Sequence, residues 1–260
     1  MQVFYSFGAV IAAATAVMAI SPTSSTEQAP RPVAAEIAPA TVAAKPAAKP
    51  AFPVADYVVP LNEAVAGHTQ GFYANDWWQW AMSAPRGESP QDDPTGQACA
   101  RDQGDKVWYL SNAISGKAQR RRCTVPAGRH LFFPVTSVYD TTAPARPLTC
   151  AEARRSAAHV ADTPVVMEIR VDGTLVPLPE KHRIAPEKCF DLTARMAPEA
   201  GVAPMYPSAT NGYWMMLRPL PPGRHVISFR VGTPDTKKPF AKPLQDVTYD
   251  LTILPTAPRG

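Results

Sequence analysis

Val165-Val-Met-Glu-Ile-Arg-Val-Asp-Gly-Thr-Leu-Val-Pro-Leu178 contains two short runs of alternating apolar and polar residues joined by Asp172-Gly173. Alternation of period two puts one set of side chains on each face of a strand. The turn between them needs positive φ at two successive residues, which Asp-Gly supplies at low steric cost, so the stretch reads as a β-hairpin. Working outward, the same signature predicts strands at Lys106–Ser111, Lys117–Val125, Arg129–Val138, Val165–Val171, Thr174–Leu178, His182–Leu192, Gly212–Arg218, Arg224–Val231 and Gln245–Leu254. Pro221-Pro222-Gly223 is a further stop before a strand. Helix is expected in two places. Leu61–Met82 carries apolar residues at helical spacing, interrupted near Gly67 and Gly71, and Thr149 with Glu152 has capping-box spacing ahead of Ala151–Val160. Short, evenly punctuated strands predict a mostly β fold, an antiparallel β-sandwich of jelly-roll or immunoglobulin-like type with one or two short helices packed on it.

The segment before this region has a different composition. Phe7–Ile20 is an uninterrupted apolar run followed by small and polar residues, which reads as a signal peptide over 1–20 and a secreted or periplasmic destination. Met1–Ser6 carries no Lys or Arg, so an uncleaved N-terminal anchor is the alternative, although the run is shorter than the ~20 residues a membrane span needs. Between Ala29 and Ala51, fifteen of 23 residues are Ala or Pro. Such a stretch has no apolar face to bury and its prolines forbid a continuous helix, so 21–53 is read as an extended linker. Residues 54–260 then form a single domain, with no further transmembrane stretch.

The formal charge of +4 is too small an excess for a nucleic-acid binder. Its densest basic group is Arg120-Arg121-Arg122. Strand geometry sends Arg120 and Arg122 to one face and Arg121 to the other, and a solvated hairpin edge is the expected setting. The four cysteines lie in the folded part, and two disulfides are expected, Cys99 with Cys123 and Cys150 with Cys189. Each closes a loop of about 25 to 40 residues, worth on the order of 3 to 4 kcal/mol in the chain-entropy model. Their spacing is not that of a zinc site, and no metal or cofactor is expected.

Asn75-Asp76-Trp77-Trp78-Gln79-Trp80 is the strongest local feature. On a helix Trp77 and Trp80 share a face and are expected to clamp it onto the sandwich, while Trp78 points elsewhere. Trp78, with Tyr73 and Trp214, is then a candidate ligand platform on which sugar rings would stack. Catalytic motifs are absent from the sequence, and the catalytic residues, if any, are unknown. His182 and His225 fall in predicted strands that the fold would have to bring together. Asp92 and Asp93 precede Pro94-Thr95-Gly96, where turn hydrogen bonding competes with a calcium site, and Asp93 with Glu168 or Asp191 would be a glycosidase-like pair only if the fold set their separation.

The chain resembles a group of uncharacterised secreted bacterial proteins. The shared residues are Trp77-Trp78-Gln79-Trp80-Ala81, Asp93 with Thr95-Gly96, Cys123-Thr124-Val125-Pro126-Ala127-Gly128, Leu131-Phe132-Phe133-Pro134-Val135, Gly212-Tyr213-Trp214 and Leu220-Pro221-Pro222-Gly223-Arg224-His225, in that order over Ala74 to Leu254. The resemblance implies a secreted address and a fold but no catalytic residues. Three functions stay open. The first is a non-enzymatic binding or structural module of the cell envelope or secretome, with a carbohydrate or another envelope protein as partner. The second is a secreted polysaccharide hydrolase or lyase, and the third an assembly or inhibitor module that engages a protein through a sheet edge.

Overall fold

The computed structural model describes residues 53–256 except 86, 178–181, 198–199 and 235–236. The signal peptide and all but the end of the linker read from the sequence lie outside the described residues.

The described chain is mostly β, with two helices and nine strands. Helix α1 spans Gln70–Met82 and helix α2 Cys150–Ala161. The strands are β1 Val107–Tyr109, β2 Gln119–Val125, β3 His130–Thr141, β4 Val166–Val171, β5 Thr174–Leu175, β6 Arg183–Ile184, β7 Ser208–Leu217, β8 Gly223–Gly232 and β9 Gln245–Ile253. They form a four-stranded sheet in the order β1-β3-β7-β6 and a five-stranded sheet in the order β2-β9-β8-β4-β5. Alternation assigns each face. Along β3 and β7, Leu131, Phe133, Met215 and Leu217 face a core shared with Ile169, Phe229, Val247 and Leu251 of the other sheet, and Phe133 stacks on Phe229 with ring centres 5.3 Å apart. The intervening Phe132, Trp214 and Met216 face the opposite way, into a second core beneath α1. The four-stranded sheet is therefore buried on both faces.

The pairing is mixed rather than wholly antiparallel. β1 runs parallel to β3, and β2 parallel to β9. After β1 the chain leaves for the five-stranded sheet, makes β2 there and returns as β3, and such an excursion delivers a parallel neighbour. This corrects the antiparallel expectation, and mixed sheets single out neither the jelly-roll nor the immunoglobulin arrangement. The run His182–Leu192 yields only the two-residue β6, because Pro186 has no N–H to give a ladder and Cys189 is tied to Cys150. In the hairpin, Asp172 and Gly173 take φ of 49° and 79°, as the turn requires. Both disulfides are those expected, and no cysteine is free.

Two sheet edges are closed by unrelated means. Beside β2, the Arg122 N–H donates to the Thr95 carbonyl (2.8 Å), and the Cys99–Cys123 disulfide fastens the same loop. Gly96 there has φ +91°, and a Cβ on it would fall 2.3 Å from the Arg122 carbonyl oxygen, so only glycine fits. Beside β1, the Gln103 side-chain amide accepts from the Tyr109 N–H (2.7 Å) and donates to the Tyr109 carbonyl (2.9 Å), occupying the ladder where a further strand would pair.

Candidate functional site

The tryptophan cluster is core on every side. Helix α1 starts at Thr69, whose hydroxyl accepts from the Phe72 N–H. From there it lays Trp77 and Trp80, 0% and 1% exposed, onto the four-stranded sheet, where their indole N–H groups donate to Leu110 O (3.0 Å) and Arg101 O (2.8 Å). Trp78 does point away from them, but into Tyr139 and Thr210 at the far ends of β3 and β7, and its indole donates to the Thr210 hydroxyl (2.8 Å). Trp214 is 0% exposed and stacked on Phe132, and the Tyr73 hydroxyl donates to Val65 O (2.8 Å). The proposed platform of Tyr73, Trp78 and Trp214 is thus corrected. The strands run long enough to cover Trp78 as well, and all three rings are buried among protein atoms.

The candidate acids and histidines are engaged separately. Burial would raise the Asp93 carboxyl, but hydrogen bonds from the Ala98 and Thr95 N–H groups and the Thr95 hydroxyl prevail and hold it below its ordinary value. Asp93 thereby fixes the loop against β2 and supplies the turn hydrogen bonds expected of it. Glu168 is held low by hydrogen bonds from Arg230 and Arg170, and Asp191 braces its own turn through Thr193 and Met205. His182 stands just before β6 of one sheet with its pKa lowered by burial; His225 lies in β8 of the other, between the Asp172 carboxylate (2.7 Å) and the Pro221 carbonyl (2.9 Å). The fold does not bring these two histidines together. Among the described residues no three His, Cys, Asp or Glu side chains converge to hold a metal ion, and no helix is long and apolar enough to cross a membrane.

What the fold does build is an apolar cup at the C-terminal end of α2. The helix is anchored by a complete capping box between Thr149 and Glu152 and by the disulfide from Cys150, its first residue. Its buried face carries only Ala153 and Ala157, so it lies close over β3 and β7. A bulge at Pro134/Thr136 in β3 opens the ladder next to Gly212, where a Cβ would fall 2.4 Å from the Thr136 carbonyl oxygen. Val160 and Thr163 from the end of α2, Val165 from the approach to β4, Val138, Tyr213 and Leu244 complete a wall around about 230 Å³. Val160 and Leu244 stand on it 49% exposed each. The lining also contains Ser137, whose hydroxyl is itself buried and without a hydrogen-bond partner among the described residues, and Asn211, whose side-chain oxygen accepts from Arg183 (2.9 Å). Sequence reasoning did not find this site. Gly212-Tyr213 stood out as part of a motif, but the cup takes residues from four separate stretches of chain.

No family model matches the chain, and no curated protein matches it. Among solved structures it is similar to the cysteine protease inhibitor EhICP2 from Entamoeba histolytica, at 13% identity over 57% of this chain and 95% of that one, with a TM-score of 0.25. It is also similar to PbICP-C, solved in complex with falcipain-2 (11% identity, 57% and 98% covered, TM-score 0.25), and to amebosin (11% identity, 58% and 99% covered, TM-score 0.24). At such TM-scores these likenesses say nothing of partner or activity.

Proposed function

We propose that the chain is an exported, non-catalytic binding module whose partner is another protein, engaged through the apolar cup. The observation that carries this reading is a half-exposed apolar rim, Val160 and Leu244, around a small cavity. A volume of about 230 Å³ is below the ~300 to 1,000 Å³ of sites for drug-sized ligands and suits one apolar side chain of a partner. Interfaces draw most of their energy from such an anchor seated in a pocket. Strand addition at β1 or β2 is disfavoured because those edges are already covered. A sugar platform is disfavoured because its rings are inside. Two closed disulfides accord with an oxidising, extracytoplasmic compartment.

Selection of a displayed random-peptide library against the full chain tests the proposal. Enriched peptides should share one Leu, Met or Phe, and Val160→Asp or Leu244→Asp should each weaken their binding about tenfold or more, the cost of putting a charge where the anchor sits. Enrichment without an apolar anchor, or full binding by both variants, would reject it.

A further inference from the structure

The outer face of the five-stranded sheet exposes Arg122, Thr124, Thr252 and Arg224, while Phe240 lies over Arg230, and its arginines are unequally engaged. Arg120 is held by Asp250 in a two-bond fork (2.7 and 2.6 Å), and Arg170 and Arg230 share Glu168 (3.2 and 2.7 Å). Arg122 and Arg224, both exposed, make no ion pair among the described residues. They line the same trough, of about 580 Å³. The register places Arg122 beside Asp250, and Thr252 between Thr124 and Arg224, so two hydroxyls stand among the two guanidiniums. No Phe, Tyr or Trp lines the trough, and the one imidazole in its lining, His225, is buried, which leaves a sugar little to stack on.

Ladder dimensions fix what such a site can grip. Arg122 and Arg224 lie two strands and one same-face row apart, about 12 Å between Cα atoms, and an extended peptide carries carboxylates at residues i and i+4 about 13 Å apart. A guanidinium meets a carboxylate with two parallel hydrogen bonds. We infer that the trough is a second contact surface, taking an extended acidic polypeptide segment with Arg122 and Arg224 each forked onto a carboxylate and Thr124 and Thr252 donating beside them. It lies on a different face from the cup and does not depend on it.

The experiment is fluorescence anisotropy of a labelled ten-residue poly-glutamate peptide with the full chain at low and moderate salt. The wild type should bind, and more weakly as salt rises. Arg122→Glu with Arg224→Glu should weaken binding about tenfold or more. Arg154→Glu with Arg155→Glu on α2 makes the same change in net charge and should leave binding within about twofold. Thermal unfolding of both double variants checks that they fold. Equal loss in the two would mean a response to net charge alone and would overturn the site, as would no binding by the wild type. Binding of a sulfated oligosaccharide in preference to the peptide would overturn it in favour of a polysaccharide face.

Discussion

Arg121 is 1% exposed, and no carboxylate lies within ion-pair distance among the described residues. Its guanidinium donates instead to Ser111 O (2.7 Å), Asn112 O (3.1 Å), Gln91 O (3.2 Å) and the Tyr249 hydroxyl (2.9 Å). Tyr249 in turn donates to Ser111 O (2.9 Å), and burial raises its pKa against the pull of Arg121. One buried cation thus ties β2 and β9 to the loop that follows β1. Arg121→Met should cost about 3 to 5 kcal/mol in denaturant unfolding, because it strands buried acceptors at once, and a loss under about 1 kcal/mol would show that water replaces the guanidinium. Alternation in Arg120-Arg121-Arg122 separated the middle arginine from its neighbours, but it could not say which face was inside. The deciding partner, Tyr249, lies on another strand far along the chain.

Elements were more legible than their surroundings. Strands came out of the sequence where alternation was strong, and α2 came out of Thr149 and Glu152, because both signals are local. The covered edge of β2 was not legible, since it depends on Gly96 meeting the backbone of a strand outside its own turn. Gly96→Ala should cost about 2 kcal/mol or more, from the left-handed backbone together with the clash on Arg122. It should also free the β2 edge, so the variant is expected to self-associate in light scattering at concentrations where the wild type is monodisperse. A stable, equally dispersed variant would mean that the loop does not guard the edge. The burial of Trp78 was missed for a related reason. Helical spacing sets its direction, but the reach of β3 and β7 decides what it meets.

Across the whole molecule, the disulfides fasten loop and helix to strands that hold the rest. Cys99–Cys123 pins the edge loop and Cys150–Cys189 pins the start of α2, which walls the cup. Reduction of both should lower stability by about 6 kcal/mol and the midpoint by about 12 to 24 °C, measured by calorimetry with and without a phosphine reductant. Replacing Cys150 and Cys189 alone by Ser should loosen the cup and weaken cup-dependent peptide binding while leaving the trough intact; an unchanged midpoint on reduction would refute a stabilising role. The parallel pairing of β2 with β9 reaches further. The register runs from Gln119 with Val247 to Val125 with Ile253, so the two partners are made far apart in time on a growing chain. Until Val247–Ile253 has been synthesised, β8 is paired only with β4 and β2 has no ladder. Completion of the five-stranded sheet therefore waits on β9, and a ribosome making this polypeptide would hold an unfinished sheet until that strand emerges.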